Sequence, residues 1–309
     1  MAWLRLIRWP NLLIVALTQF AAWSCVILPF HKPEVLTFGN FLLLSLSTVL
    51  IAAGGYIIND YFDIRIDVIN KPDKVILERD IPRRLAIIVH SVLNVVALLL
   101  AAAVALPAGH PEWLLLQLSC TALLWKYSTT WKRQFMVGNV VVSLMTALTI
   151  IALMLYEPML SSPRADATGD HQQWLNPFAA LLIFSLFAFI LTWMREIVKD
   201  MEDYKGDDAE GCLTMPIQWG LLGSTRFVQA LGAIAIFILL AAMVWIALHI
   251  EDPWTFIPLY FVTGTVILPL GFCLRRLQEG ATSEHYHVVS RKLKEIMVFG
   301  VISLVMLSF

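Results

Sequence analysis

Two short acidic stretches of this chain repeat the same spacing of aspartates. Residues 59–67 read NDYFDIRID, and residues 199–207 read KDMEDYKGD. On an α-helix, offsets of 0, 3 and 7 fall within about 60° of one another, so each set is expected to occupy one helix face. Glu196 lies one turn before the second set. The aspartates at these offsets are Asp60, Asp63 and Asp67, and Asp200, Asp203 and Asp207.

Placing carboxylates in this way is unfavourable without a partner. Like charges repel at helical spacings of three and four, and the C-terminal end of a helix disfavours anions. A bound divalent cation reverses both effects, and Mg²⁺ binds a few carboxylates together with substrate phosphates. The duplicated pattern, together with the preceding Asn59, favours two Mg²⁺ half-sites that share a polyphosphate over a solvated acidic loop.

The composition indicates that a bilayer surrounds much of the chain. Of its 309 residues 59% are hydrophobic and 15% are charged, and the mean hydropathy is +0.75, whereas a soluble domain is about 25% charged. The net charge of −1 gives no indication of nucleic-acid binding. The four cysteines have neither metal-ligand nor disulfide-framework spacing. We expect no removed signal peptide at the N-terminus.

The apolar segments predict an all-α integral membrane protein with nine transmembrane helices in one domain, residues 1–309. With the N-terminus in the cytosol, all of the 22 basic residues except Lys32 and Arg164 lie on the inner side, as the positive-inside rule expects. The expected location is the cell membrane. The clear spans are 11–30, 41–58, 85–106, 137–156, 177–194, 227–248 and 254–274, and the weaker ones are 113–125 and 296–309.

Each acidic stretch follows an even-numbered span, the second and the sixth. Even-numbered spans run from outside to inside in this topology. Both stretches are therefore expected on the cytosolic side, where parallel helices can bring them face to face.

These residues resemble the signatures of the UbiA superfamily of intramembrane prenyltransferases. The first stretch, with NKP at 70–72, is similar to the first family signature, and REIVKDMEDYKGD at 195–207 is similar to the second. YSTTWKR at 127–133 resembles the basic motif after the fourth helix, and Gly138 and Asn139 follow as in the family. Arg8 and Asn11 also fit, so the resemblance spans nearly the whole chain.

The resemblance implies a helical bundle around a central cavity, with Mg²⁺ ions holding a prenyl diphosphate between the two acidic motifs. It assigns metal-binding roles to oxygen-bearing side chains of both motifs. The helical spacing of the aspartates adds Asp60 to this set. Lys132 is a further candidate for catalysis beside Asp63, Asp67, Asp203 and Asp207. The full set of candidate ligands is Asn59, Asp60, Asp63, Asp67, Asp200, Asp203 and Asp207.

The second motif is most similar to the family branch that makes digeranylgeranylglyceryl phosphate. That similarity implies transfer of a geranylgeranyl group to a glycerol-phosphate lipid. One departure is that Lys74 and Val75 stand where the family commonly has Arg and Pro. Because Arg binds phosphate with two parallel hydrogen bonds and Lys does not, donor affinity or specificity could differ.

Prenyl transfer leaves pyrophosphate and an allylic cation, so fixed cations near the leaving group would assist it. Lys71, Lys74, Lys132 and Lys199 are candidates for the diphosphate. Arg8, Arg133 and Arg195 could share that role or bind an acceptor phosphate. The alternative is that these are ordinary inner-loop charges.

Two uncharged polar residues have equally open roles. The ring of Tyr127 could stabilise the cation or anchor the helix at the interface. Asn11, inside the first span, could contact the substrate or a neighbouring helix.

Three rival functions remain open from the sequence. An aromatic acceptor, such as a quinone precursor, would use the same ionisation chemistry. A transporter also has repeated membrane segments with acidic residues, but its site lies near the midplane, whereas these acids lie at inner helix ends. A scaffold would use the acids to bind a cytosolic protein. The enzyme hypothesis requires only a prenyl diphosphate, an acceptor and membrane lipids as partners, and no nucleic acid or obligate protein.

Overall fold

The computed structural model describes residues 1–30, 32–70, 75–161, 177–249, 256–277 and 282–306. Its regular structure in these ranges is helical, apart from one isolated bridge between Leu77 and Ile81. The prediction of an all-α protein is therefore confirmed for the part of the chain described. The helices are α1 Ala2–Leu6, α2 Trp9–Ala21, α3 Leu28–Phe30, α4 Phe38–Asn70, α5 Arg83–Ala105, α6 Leu114–Thr129, α7 Val137–Leu155, α8 Pro177–Glu202, α9 Tyr204–Ala209, α10 Met215–His249, α11 Phe256–Val262, α12 Leu268–Arg276 and α13 Ser283–Met306.

Seven helical segments are long and apolar enough to cross a membrane, and they match the seven clear spans of the sequence. The π-helical turns Ala22–Ile27 and Thr263–Ile267 make α2–α3 and α11–α12 continuous. The weaker segments are also helical, as α6 and α13, but they fall short of the same length and hydropathy criteria. The seven are Trp9–Ile27, Phe38–Ile64, Arg83–Ala105, Val137–Leu155, Pro177–Glu202, Met215–Leu248 and Phe256–Arg276.

Helix packing closes the bundle into a ring. α4 packs against α2, α5 and α6, and α8 packs against α7, α10 and α13. Contacts of α6 with α7, and of α2 with α13, join the two groups. Gly54 and Gly55 allow the close packing around α4, because a Cβ at these positions would lie 3.1 Å from the Asn94 amide and 3.0 Å from Leu124.

The two ends of the bundle have different compositions. At the end away from the acidic stretches, a buried cluster includes Trp23, Phe41, Tyr156, Leu181 and Leu304. We call this the far end, and the end with residues 59–67 and 199–207 the motif end. Large apolar side chains cover the outside of the bundle between them, as expected for a surface that faces lipid; Leu99, Phe237 and Leu248 are 64%, 72% and 77% exposed.

Candidate active site

The first acidic stretch is the last part of α4, which continues as a helix to Asn70. Asp60 accepts a hydrogen bond from the Arg8 guanidinium at 2.8 Å. Asp63 forms an ion pair with Lys132, and both side chains are largely buried. Asp67 lies in the helix, but its side chain is outside the described residues. Lys71 and Lys74 lie outside them as well.

The second acidic stretch differs from the expected single helix face. α8 ends at Glu202, Asp203 adopts φ −92° and ψ 8°, and α9 begins at Tyr204. The expectation that Asp200, Asp203 and Asp207 share one continuous helix is therefore wrong. Aspartate is a preferred residue where a helix begins, and Asp203 directly precedes the first residue of α9.

This break brings the second stretch to the first. α9 packs directly against α4, and Asp207 is only 8% exposed. The two acidic stretches therefore lie together at one end of the bundle, on the same side, as the sequence predicted.

The basic motif joins the two acidic stretches. A 3₁₀ turn, Trp131–Arg133, lies between α6 and α7 and carries Lys132 to Asp63. The carbonyl oxygen of Arg133 accepts a hydrogen bond from the backbone N–H of Leu213, just after α9, at 2.8 Å. Gly138 permits this arrangement, because a Cβ there would lie 2.7 Å from the Cα of Lys132.

Tyr127 lies within electrostatic range of charged groups from several parts of the chain. Its hydroxyl is within electrostatic range of Asp63 from the first stretch and of Glu196 and Asp200 on α8, as well as of Arg8. The Asn139 amide donates to Asp200 at 2.7 Å. Four helices, α4, α6, α7 and α8, and the residue before α2 thus contribute to one polar region.

Glu196 provides the negative charge for two neighbouring cations. Its two carboxylate oxygens accept hydrogen bonds from Arg195 and Lys199, each at 2.9 Å. Glu196 itself is 8% exposed. The cations predicted to bind phosphate on α8 are therefore held at the motif end by this carboxylate.

The N-terminal segment forms another side of the site. Arg8 has left-handed backbone geometry, φ 52°, and its guanidinium lies 5.0 Å from the ring centre of Tyr56. Burial by itself disfavours a charged Arg8, but Asp60, Tyr56 and Glu196 together outweigh burial, and the pKa of Arg8 is raised. Asn11 donates to the Tyr56 hydroxyl at 3.2 Å and accepts from Lys294 at 2.5 Å.

Cys212, in the loop after α9, lies within electrostatic range of charged groups of the acidic and basic motifs. Burial and, next, the Asp207 carboxylate raise the pKa of the Cys212 thiol to about 11, although Arg133 opposes this change. Asp63 and Lys132 also act on this thiol. Groups from all three motifs therefore lie within electrostatic range of one residue.

The residues present fit a hard divalent cation. Within the described ranges, no three Asp, Glu, His or Cys side chains form a ready metal-binding group. However, the buried side-chain oxygen of Asn59 has no hydrogen-bond partner among those residues, and a buried acceptor of this kind is costly unless it is satisfied. Its neighbours are carboxylates, and an all-oxygen set suits Mg²⁺.

Sequence reasoning did not assign site roles to four side chains that the structure brings here. Glu196 and Asn139 lie beside the motifs in the sequence, whereas Tyr56 and Lys294 lie outside them. For Lys294 a signal existed: it lies four residues after Ser290 and three before Met297, on the inward face of α13, where Ser290 is 5% exposed.

Comparisons with known proteins agree with this geometry. The model of the UbiA prenyltransferase family matches residues 12–288. A digeranylgeranylglyceryl phosphate synthase of Methanothermobacter thermautotrophicus is 31% identical over 259 residues, which are 82% of this chain and 81% of that protein. The synthase of the same name from Metallosphaera sedula is 29% identical over 294 residues, which are 94% of this chain and 89% of that protein.

Solved structures have the same fold. A structure from work on digeranylgeranylglyceryl phosphate synthase in membranes superposes with a TM-score of 0.66 and 23% identity, covering 99% of this chain and 97% of that one. A UbiA homologue from Archaeoglobus fulgidus bound to DMAPP and Mg²⁺ superposes with a TM-score of 0.60 and 16% identity, with 99% of both chains covered. With a family match over residues 12–288 and both acidic motifs meeting at one end of the bundle, the chain belongs to the UbiA prenyltransferase family.

Proposed function

We propose that this chain transfers a geranylgeranyl group from geranylgeranyl diphosphate to the hydroxyl of geranylgeranylglyceryl phosphate, with Mg²⁺ as cofactor. The observation that carries the proposal is the packing of α9 on α4 beside the Lys132–Asp63 pair. This packing brings both acidic motifs and a cation to one polar region. A site of this kind suits a diphosphate leaving group.

The reaction breaks the bond between C1 of the donor and the diphosphate oxygen, and the electron pair leaves with diphosphate. The acceptor hydroxyl oxygen forms the new ether bond to C1 and releases its proton. In this proposal Lys132 binds the diphosphate after separating from Asp63, and the ring of Tyr127 faces the developing allylic cation. Arg8 keeps Asp60 oriented through their hydrogen bond.

The acidic motifs provide the proposed metal site. When bound, Mg²⁺ neutralises the charge that develops on the leaving diphosphate. The residues that would hold it are the oxygen-bearing side chains of the two stretches: Asn59, Asp60, Asp63, Asp67, Asp200, Asp203 and Asp207. Lys71, Lys74, Arg133 and Lys199 are proposed to assist in diphosphate binding.

Two features favour a lipid acceptor over an aromatic one. The second motif resembles the digeranylgeranylglyceryl phosphate branch, and curated relatives that cover most of the chain have that name. The test is an acceptor screen with purified protein, Mg²⁺ and labelled geranylgeranyl diphosphate. Geranylgeranylglyceryl phosphate, a dihydroxynaphthoate and 4-hydroxybenzoate are offered separately.

We expect labelled product from the glyceryl phosphate lipid alone. Product from only an aromatic acid would instead support quinone-precursor prenylation. If no acceptor gives product, the protein is reconstituted into vesicles, where labelled donor that crosses the membrane unchanged would support a transporter. The screen therefore separates the candidate functions by their products.

We further propose nine crossings in the cell membrane, with the N-terminus and the motif end in the cytosol. α6 begins beside Trp113 in the far-end cluster, and the turn after it reaches Asp63 at the motif end. α13 begins beside Glu202, at the end of α8, and its Leu304 packs in the far-end cluster. These positions support a full crossing for both helices within a single domain.

A further inference from the structure

Lys294 extends from α13 into the polar region near the N-terminus. Its amino group donates to the side-chain oxygen of Asn11 at 2.5 Å. The neighbouring basic residues of the same helix behave differently. Arg291 and Lys292 are exposed and pair with Glu295 at 3.4 Å and 2.6 Å.

In the part of the chain described, Lys294 has no carboxylate partner. The Asn11 oxygen that it contacts is neutral. It is half-buried, and it lies within electrostatic range of a second cation, Arg195 on α8. Burial, followed by the charge of Arg195, lowers the pKa of Lys294. Two partly buried cations within electrostatic range of each other raise the free energy unless an anion joins them.

Arg195 also has unused hydrogen-bonding capacity. One of its terminal nitrogens donates to Glu196, but its buried Nε has no acceptor among the described residues. Glu196 in turn is shared with Lys199. Among the described residues, Glu196 therefore accepts hydrogen bonds from two cations on this side of the site, and Lys294 is a third cation that contacts only the neutral Asn11 oxygen.

Resting on the proposed function, we propose that Lys294 and Arg195 form an anion subsite for the phosphate of the lipid acceptor. The subsite is separate from the carboxylate-lined region that receives the donor diphosphate. A phosphate monoester carries a charge of about −1.5 to −2 at pH 7, which two cations can neutralise. The hydrogen bonds from Lys294 to Asn11 and from Asn11 to Tyr56 hold the lysine in position.

The test compares Lys294→Gln with Lys292→Gln, an exposed lysine two residues earlier on the same helix. Each protein is given geranylgeranylglyceryl phosphate or the same lipid without phosphate, geranylgeranylglycerol. We expect the KM for the phosphate lipid to rise roughly tenfold to hundredfold in Lys294→Gln, because this variant loses a hydrogen bond to a charged group. The KM for geranylgeranyl diphosphate, and kcat/KM for the lipid without phosphate, should stay within about twofold.

A second measurement does not depend on turnover. Calorimetric titration of the phosphate lipid into detergent-solubilised protein, without donor, should give a similar loss of affinity in Lys294→Gln. Lys294→Arg should restore most of the affinity, and Lys292→Gln should match the wild type. Inorganic phosphate should compete for binding only at far higher concentration than the phosphate lipid.

Several outcomes would overturn the subsite. Equal losses for both lipids would mean that Lys294 has only a structural role, and a raised KM for the donor would assign it to the diphosphate site. Inorganic phosphate that competes as strongly as the lipid would point to a free-phosphate site. If the wild type prenylates the phosphate lipid and Lys294→Gln does so equally well, the subsite fails while the proposed function stands. If the wild type does not use the phosphate lipid, both fail.

Discussion

At the scale of single residues, the site holds its acidic groups against polar or basic partners. Lys132 and Asp63 are 9% and 15% exposed, and a buried pair of this kind cannot lose one member without leaving an uncompensated charge. Asn139 has a similar role toward Asp200 through a neutral amide. These partners are side chains, so a substrate can displace them without a change in the helices.

Asp63→Ala and Asp203→Ala are each expected to abolish prenyl transfer. Asp63 would lose both a metal-binding carboxylate and the partner of Lys132, and Asp203 lies where α8 gives way to α9. The measurement is product formation from labelled donor at saturating Mg²⁺. Unfolding of each purified variant is followed in parallel, and the membrane fold should remain largely intact.

The matched control for these variants is Asp80→Ala. Asp80 pairs with Arg5 at 3.2 Å, with side chains 37% and 63% exposed, and it lies outside both motifs. Exposed pairs contribute little to stability, so the control should keep wild-type activity. Wild-type turnover in either Asp63→Ala or Asp203→Ala would rule out the proposed metal site.

The sequence predicted the candidate residues better than their partners. Repeated spacing and family resemblance identified the aspartates, Lys132 and Arg8, because each lies within a recognisable motif. The contacts of Lys294 and Tyr56 with Asn11 join residues far apart in the chain. Such contacts depend on how α2, α4 and α13 pack, and no local pattern encodes that packing.

At the scale of elements, the turn between α6 and α7 depends on Gly138, because a side chain at this position would collide with the turn. We expect Gly138→Ala to lower kcat by about tenfold to hundredfold, because the new methyl group would push the Lys132 backbone out of position. A displacement of about 1 Å at a catalytic group has effects of that size. Steady-state kinetics with both substrates is the measurement.

Gly271→Ala is the control for this variant. Gly271 is a helical glycine of α12, and a Cβ there would meet no atom within 4 Å. Because alanine favours a helix over glycine, this variant should keep full activity. Equal kinetics for Gly138→Ala and the wild type would show that the turn tolerates displacement.

A second element, the loop before α4, depends on one buried carboxylate. Glu157 follows α7, is fully buried, and accepts hydrogen bonds from the backbone N–H groups of Glu34, Val35 and Leu36 at 3.1, 3.1 and 2.9 Å. Glu157→Ala would leave these donors without their acceptor. We expect it to lower the free energy of unfolding in detergent by about 2–4 kcal/mol.

Glu112→Ala is the matched comparison at the far end. Its carboxylate is 58% exposed and bonds to His110, two residues earlier in the chain. We expect no measurable change in unfolding for this variant. If Glu157→Ala were as stable as Glu112→Ala, the buried carboxylate would not be what holds the loop.

The boundaries of the helices were predictable only where the length of an apolar segment defined them. The seven clear spans appeared at nearly the expected positions, because burial in lipid requires a long apolar helix. The break at Asp203 was not expected, since helical spacing continues through it in the sequence. Packing of α9 against α4 outweighs that local pattern.

At the scale of the whole molecule, the course of α6 between the two ends determines the topology. α5 ends, and α6 begins, in the far-end cluster that contains Ala105 and Trp113. The turn after α6 then reaches the motif end at Asp63. This course supports the proposed crossing of α6, because such a crossing brings Lys132 to the end of the bundle where Asp63 lies.

Labelling of single cysteines tests this topology in intact cells. Exposed positions are changed in a chain whose native cysteines are replaced by serine: Arg79→Cys before α5, Glu112→Cys before α6 and Lys126→Cys near the end of α6. With the motif end in the cytosol, a membrane-impermeant maleimide should label only Glu112→Cys. Arg79→Cys and Lys126→Cys should react once the membrane is opened, which controls for their reactivity. Labelling of Lys126→Cys from outside without labelling of Arg79→Cys would contradict the crossing of α6, and the reverse pattern at all three positions would place the motif end outside.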